Sequence, residues 1–405
     1  MAPRMRLGEG TVDAGRIGRC LVLSVCLLLF GLYPMRATAF DLGQWVPGLK
    51  VSPFLSERVE YESNVFQVPS HSKDDLIFKM IPGFLADYTF GTHSVSAGYR
   101  AEILKYLDLS DQDTVHHIAV GQIRLDFPRT LLTLRDDFTR TSDPPGSELT
   151  GRILSNTNVV KPEAEYRWTP SFSSGLSYSW TNVRFDDRFI GDLIDRDEHL
   201  AGASVFWKVV PKGDLLFNYT YGRVIFTTAT ERDYTDHIIT VGLRGDITAK
   251  LSSTFRVGYL IRTPDASSQT GFSGLFLAGE TTYRPTERTT ITLATQRTTQ
   301  ESTFGTGAFY VTSNGTLSLT QQLLPKLSAT ARLGGGLNDY STKQSADGKT
   351  DWRADSFLLA GAQVEYDIQP WLRVGLEYLR TSRDSNFPSF RFVDDRITAR
   401  GTLQF

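Results

Sequence analysis

The feature that most constrains the fold is an alternation of apolar and polar residues that runs through most of the chain. In one predicted strand, Phe255, Val257 and Tyr259 lie on one face. Thr254 and Arg256 lie on the opposite face, because successive side chains of a strand point in opposite directions. A soluble β-sandwich shows the same period, so alternation predicts strands without yet deciding what covers their apolar face.

The predicted strands are joined by two kinds of connection, which alternate along the chain. Eight short turns rich in Pro and Gly lie at residues 91–92, 128–129, 169–171, 211–213, 248–250, 285–287, 325–326 and 369–370. Longer polar segments lie between them, at residues 63–73, 107–114, 141–155, 186–197, 228–234, 263–272, 299–308, 339–352 and 381–394. This asymmetry is typical of transmembrane antiparallel up-and-down β-barrels, which have short periplasmic turns and long extracellular loops. The pattern predicts an all-β barrel of about 18 strands with both termini at the short-turn end.

The amino terminus predicts export from the cytoplasm. Basic residues precede an apolar run at 21–33, and Ala37-Thr38-Ala39 fits a cleavage site. We expect residues 1–39 to be a cleaved signal peptide and residues 40–405 to form the barrel; an uncleaved anchor or a lipidated Cys26 fits the pattern less well. Both cysteines lie in this segment, so the mature chain has no disulfide. Its net charge of about −5 argues against nucleic acid as a partner.

The closing stretch 392–405 also alternates and stops on its apolar face at Phe405, two residues after Leu403. This ending resembles the carboxy-terminal signal of outer-membrane barrels, so we expect Leu403 and Phe405 to be read by the barrel-insertion machinery. Aromatic residues beside the short turns predict an interfacial girdle; they are Tyr88, Phe90, Trp168, Phe172, Trp207, Tyr283 and Trp371. In the strand 115–127 the apolar residues change face, which predicts a bulge near Gly121.

Charged residues recur at alternate positions of several strands, which suits a wet lumen and would be costly against lipid. The candidate lumen-lining residues are Arg100, Glu102, Glu163, Glu165, Arg167, Arg244, Arg256, Arg332, Arg373, Glu377, Arg396 and Arg400. Both signs are present. The charges either flank a hydrated path for polar solutes or pair with each other and brace the wall, and the sequence leaves both alternatives open.

The sequence predicts no catalytic, cofactor-binding or metal-binding residues. His116 and His117 are neighbours, so on a strand they point to opposite faces. Four Asp pairs suggest a hydrolase, but three of them lie in or beside long loops, where solvated acids are expected; the pairs are Asp74–Asp75, Asp136–Asp137, Asp186–Asp187 and Asp394–Asp395. The glycines at 334–336 lack the Lys and the following helix of a phosphate loop, and close packing of strands explains them better.

Several segments resemble one family of outer-membrane proteins, the putative β-barrel porin type 2 family. They are residues 51–54 (VSPF), 60–66 (EYESNVF), 178–185 (YSWTNVRF), 219–223 (YTYGR) and the closing strand. The resemblance implies a barrel in the outer membrane of a Gram-negative bacterium. Members are often encoded with exopolysaccharide machinery, and the family supplies no catalytic residues.

The resemblance therefore implies a channel or export component for a hydrophilic polymer, an exopolysaccharide in the first instance. The alternative is a diffusion porin for small polar solutes, and an outer-membrane hydrolase ranks third. Expected partners are outer-membrane lipid, the insertion machinery and periplasmic polysaccharide-export proteins.

Overall fold

A computed structural model describes residues 46–143, 151–303 and 309–404. These residues form eighteen strands, whose bounds are β1 Leu49–Glu62, β2 Asp75–Phe90, β3 His93–Tyr106, β4 Thr114–Asp126, β5 Thr130–Thr141, β6 Ser155–Thr169, β7 Phe172–Phe185, β8 Arg196–Val210, β9 Lys212–Phe226, β10 Tyr234–Asp246, β11 Leu251–Pro264, β12 Phe272–Thr286, β13 Thr289–Glu301, β14 Phe309–Leu324, β15 Leu327–Ala346, β16 Lys349–Gln369, β17 Leu372–Ser385 and β18 Phe392–Gln404. The predicted signal peptide and Phe405 lie outside the described residues, so the predictions made for them stay predictions.

The strands form one closed antiparallel sheet in which each strand pairs with its neighbours in the sequence. Closure comes from β1, which pairs with β2 on one side and with β18 on the other. Along the closing seam the register runs from Phe54 opposite Gln404 to Glu62 opposite Arg396. The predicted eighteen-strand up-and-down barrel is confirmed. None of the eighteen described strands is left as an edge, as a sheet in hydrocarbon requires.

The alternation sorts side chains to the two sides of the wall. In β11, Tyr259 and Ile261 are exposed on the outside, whereas Leu260 and Arg262 are buried on the inside. The outer surface carries many exposed apolar side chains, among them Leu176, Ile239 and Leu333. Such a surface would be unstable in water and is stable against lipid, because transfer of apolar area out of water is favourable.

Most of the predicted aromatic girdle occupies the expected place. Phe90, Trp168, Phe172, Trp207, Tyr283 and Trp371 are exposed beside the short turns. Tyr88 is half-buried and stacks on Phe90, with ring centroids 5.3 Å apart. Amphipathic rings are favoured at this level because they face both lipid and water.

Two local predictions are wrong. The strand β4 pairs with β3 and β5 without a register shift, so there is no bulge at Gly121. Ile118 faces the interior and Ile123 the exterior, in regular alternation. The polar segment 339–352 is not a loop, because β15 and β16 run through it and turn at Asp347 and Gly348. Their φ angles of 54° and 73° suit a two-residue hairpin turn.

The β15–β16 hairpin projects beyond its neighbours at the long-loop end. Pairing of β15 with β14 ends at Tyr340, and pairing of β16 with β17 ends at Asp355. At its base, the fully buried Arg353 lies 2.5 Å from the Asp355 carboxylate. The guanidinium also lies 3.6 Å from the ring centre of Phe390 in the β17–β18 connection. This buried contact holds the projecting hairpin against the adjoining loop.

The apolar core lies in small clusters at the long-loop end. One cluster is formed by Val65, Ile77, Leu104 and Tyr106. A second is formed by Val224, Phe226, Ala229 and Tyr234. A third is formed by Val183, Phe185 and Ile194, the last from the helix α1 Arg188–Ile194. Each cluster joins the inner face of strand ends to a connecting loop, so these loops fold over the barrel rather than away from it. No helix among the described residues is long and apolar enough to cross a bilayer.

Candidate channel interior

Salt bridges that skip strands identify the inner face of the barrel. Arg244 on β10 lies 2.8 Å from Glu165 on β6, although three strands separate them in the sheet. Arg262 on β11 reaches Glu301 on β13, again at 2.8 Å. Side chains separated by three strands, such as Arg244 and Glu165, can meet only on the concave side of a closed sheet. Such contacts therefore assign charged side chains of these strands to the interior.

The first interior cavity has a volume of about 460 Å³ and lies against β17, β18 and β1 to β5. Its charged lining consists of Arg58, Glu60, Lys79, Arg100, Glu102, Asp143, Glu377, Arg396 and Arg400. Ile118, Thr139, Thr141, Leu379 and Thr398 complete the wall. Five of the predicted lumen residues meet here: Arg100, Glu102, Glu377, Arg396 and Arg400.

A second cavity of about 420 Å³ lies against the opposite half of the wall, from β6 to β13. Its charged lining consists of Lys161, Glu163, Arg196, Glu198, Asp236, Arg256, Arg262 and Glu301. Of the predicted lumen residues, Glu163 and Arg256 lie here. Hydroxyl and amide side chains such as Asn218, Thr220 and Thr240 line the cavity as well. Both cavities are therefore polar, as a path for hydrated solutes requires.

A third cavity opens at the short-turn end, and Glu165, Arg167 and Arg244 lie in its wall. Arg244 bridges Glu165 and Asp214, and its guanidinium stacks 3.6 Å from the ring centre of Phe206. Arg167 contacts Asp126 at 3.2 Å. These charges brace this end of the wall.

The remaining predicted lumen residues are also paired. Arg332 contacts Glu377 at 2.7 Å and hydrogen-bonds to Gln363. Arg373 lies beside a short turn, 2.6 Å from Asp367, and none of the cavities described above includes it. Across the predicted set, the structure brings together Arg100 with Glu102, Glu165 with Arg244, and Arg332 with Glu377.

The connection between β5 and β6 reaches across the long-loop end to the closing seam. Arg152 in this connection lies 2.6 Å from Glu62 at the end of β1, and both side chains are buried. Glu62 also accepts a hydrogen bond from Arg396 on β18 at 2.6 Å. We call this contact of Arg152 with Glu62 the loop latch. It holds Arg152, in the connection between β5 and β6, against the closing seam through a buried ion pair.

A second contact joins three other loops at the same end. Arg232, between β9 and β10, donates to the carbonyl oxygen of Leu193 at 2.9 Å. It also donates to the carbonyl oxygen of Ser302, beyond β13, at 2.8 Å. Its side chain is buried, so one guanidinium ties α1 to the ends of two further hairpins.

Sequence reasoning missed the residues that tie the loops inward. Three of them lie at strand ends or in loops, where a charged residue is normally expected to be solvated: Glu62, Arg152 and Arg232. Alternation places Asp236 and Arg262 on the inner face. Their buried ion pair at 3.1 Å could therefore have been predicted from the sequence. The partners of Arg152 and Arg232 carry no such signal.

Acids in two long loops are held by basic groups of adjoining strands. Arg223 donates to both carboxylate oxygens of Asp265, at 2.7 and 2.6 Å, and holds the pKa of that carboxyl below its ordinary value. Lys105 does the same for the pKa of Asp113 at 2.8 Å, with help from the Tyr106 backbone N–H. These pairs fix the long-loop rim.

The Asp pairs have structural roles. Asp75 accepts hydrogen bonds from the backbone N–H groups of Leu76, Asp108 and Leu109. Six of the other acids bind Arg, Tyr or backbone donors. Asp74 accepts from Tyr61, Asp137 pairs with Arg135, Asp186 with Arg140, Asp394 with Asn64, and Asp395 with Tyr378, while Asp187 caps α1. Among the described residues no cluster of His, Cys, Asp and Glu has the geometry of a metal site. A Cβ at Gly336 would come 2.4 Å from the Ser313 carbonyl oxygen, so close strand packing explains that glycine.

The sequence of the chain matches a family of barrels described as "Putative beta-barrel porin 2" over residues 37–405. The chain belongs to this family. The resemblance to this family predicted from the sequence is thereby confirmed, and so is the predicted location in the outer membrane. Membership of a porin family, together with the barrel, favours a channel over an enzyme.

Three solved structures align with most of the chain at low sequence identity. OpdK of Pseudomonas aeruginosa, solved with vanillate, is 12% identical, with a TM-score of 0.48, and the match covers 88% of this chain and 99% of OpdK. OccK2 (OpdF) of the same organism, solved with glucuronate, is 12% identical, with a TM-score of 0.49 and coverages of 88% and 98%. OccAB3 of Acinetobacter baumannii is 11% identical, with a TM-score of 0.48 and coverages of 88% and 99%. No curated protein matches the chain.

Proposed function

We propose that this porin-family protein is a diffusion channel for small polar solutes across the outer membrane. The observation that carries the proposal is the combination of polar interior cavities with loops tied inward at the long-loop end. The cavities are lined by charged and hydroxyl side chains. The loop latch and Arg232 bind the loops above them through buried polar contacts. Such an interior favours small hydrated solutes over a thick polymer.

Export of a polysaccharide is the other expectation, and it rests on the resemblance to the family. No contact among the described residues favours it. A hydrolase would need a catalytic pair, and in each of the four Asp pairs at least one acid is bound to a structural partner instead. Diffusion of small solutes is therefore the better proposal.

The proposal is tested by solute uptake into liposomes that contain the folded mature protein. Glucose should enter these liposomes faster than protein-free liposomes, because it is small and hydrogen-bonds to a polar wall. A dextran of high molecular mass should stay outside, because the loops tied inward at the long-loop end should exclude a polymer. Rapid entry of dextran would favour polymer transport. Failure of glucose to enter would overturn the channel itself.

A further inference from the structure

A row of three cations crosses the closing seam of the barrel on its inner face. Arg58 on β1 lies directly opposite Lys79 on β2 and directly opposite Arg400 on β18. All three line the first cavity. Like charges directly opposite each other destabilise a sheet. Because Arg58 is opposite a cation on each side, its positive charge needs a compensating anion.

The two outer cations of this row have acids of their own. Lys79 lies 3.0 Å from Glu60, and Arg400 lies 2.5 Å from Glu365. No hydrogen bond or salt bridge joins the side chain of Arg58 to another described residue, and its buried Nε lacks an acceptor. Glu102 interacts with the charge of Arg58 at longer range, but its carboxylate accepts a hydrogen bond from the Nε of Arg100 at 3.0 Å. A buried donor left without an acceptor is costly, so Arg58 is set up to receive one.

The cations of the first cavity are Arg58, Lys79, Arg100, Arg396 and Arg400, and its acids are Glu60, Glu102, Asp143 and Glu377. The cations of the second cavity are Lys161, Arg196, Arg256 and Arg262, and its acids are Glu163, Glu198, Asp236 and Glu301. Among the lining side chains, cations outnumber acids by one in the first cavity and equal them in the second, but Glu365, the partner of Arg400, offsets that excess. Arg58 is the cation of the first cavity whose side chain has no ion-pair partner among the described residues.

We propose that Arg58 is the binding site for the carboxylate of a small organic acid inside the barrel. A guanidinium matches a carboxylate through two parallel hydrogen bonds, which a lysine cannot reproduce. Ile118 and Leu379 offer apolar surface to the body of the acid, and Thr139 offers a hydroxyl. As a statement about what the channel carries, the inference rests on the proposed function; as a statement about binding, it is testable separately.

The test measures benzoate binding to the folded full-length mature protein in detergent by isothermal titration, with the uncharged benzamide as the control ligand. Arg58→Gln should weaken benzoate binding by about tenfold or more, because a charge-assisted hydrogen bond is lost. Arg58→Lys should give an intermediate affinity. Arg256→Gln is the matched control, since it removes one interior positive charge from the second cavity, and it should change the affinity by less than about twofold.

The outcomes separate the site from the channel. Equal losses in Arg58→Gln and Arg256→Gln would mean that benzoate follows the general field of the lumen, and would overturn the site. Unchanged binding in a folded Arg58→Gln variant would overturn it too. Benzoate binding that depends on Arg58, in a protein that passes no solute into liposomes, would support the site and overturn the proposed channel.

Discussion

At the scale of single residues, the inner face of the barrel is organised by ion pairs whose members lie on different strands. Lys79 with Glu60 and Arg332 with Glu377 are examples, and each satisfies charges that a low-dielectric wall would otherwise penalise. Arg58 differs, because its register neighbours Lys79 and Arg400 are cations. The difference makes its contribution to stability opposite in sign to that of its neighbours.

Replacing Arg58 with Gln should raise the free energy of unfolding by about 0.2–1 kcal/mol, because two like-charge pairs disappear. Lys79→Gln is the matched control. It also removes one repulsion, but it leaves Glu60 without its 3.0 Å partner and should cost about 1–3 kcal/mol. Urea titration of the barrel folded into lipid vesicles measures both. A loss of stability in Arg58→Gln comparable to that in Lys79→Gln would contradict the assigned charge arrangement.

At the scale of elements, one hairpin design recurs on the outer face. A Tyr in the middle of a rising strand donates to or accepts from a partner near the start of the next strand. The pairs are Tyr99 with His117 at 2.8 Å, Tyr178 with His199 at 2.7 Å, Tyr219 with His237 at 2.8 Å and Tyr378 with Asp395 at 2.7 Å. These contacts satisfy polar side chains that alternation places on the apolar side of the wall, where an unpaired polar group is costly.

The same alternation predicts that a substitution to Arg costs much more on the outer face of β11 than on its inner face. Val257 lies between Val241 and Leu277 in the middle of the strand, so Val257→Arg should cost about 2–4 kcal/mol at the bilayer midplane. Thr254→Arg is the control, because its side chain faces inward between Arg244 and Glu280, whose charges offset each other. It should cost less than about 1 kcal/mol. The reverse ranking in an unfolding titration in vesicles would contradict the facing of β11.

The elements also show where prediction from sequence ends. Strand number and facing follow from alternation and turn residues, which are local signals. The β15–β16 hairpin was predicted as a loop because its outer half is polar; what stabilises it is the buried Arg353, held by Asp355 and Phe390. The loop latch joins Arg152 to Glu62, which lie 90 residues apart in the sequence. No local sequence pattern predicts such a contact.

At the scale of the whole molecule, the barrel is a rigid closed wall whose properties as a channel depend on the loops folded into its mouth. The closing seam fixes the wall through continuous pairing of β1 with β18. The loops instead rest on small apolar clusters and a few buried ion pairs. Removal of one such pair should therefore change the channel without unfolding the barrel.

The central claim is that the loop latch narrows a conducting path, and single-channel recording in planar bilayers tests it most directly. The native protein should give a stable conductance, and Arg152→Ala should give a larger one, because the loop loses its 2.6 Å bond to Glu62. Arg124→Ala, which removes a charge paired with Asp126 at the short-turn end, should leave the mouth as it is. A native protein without conductance, or an Arg152→Ala channel no wider than the native one, would contradict the account.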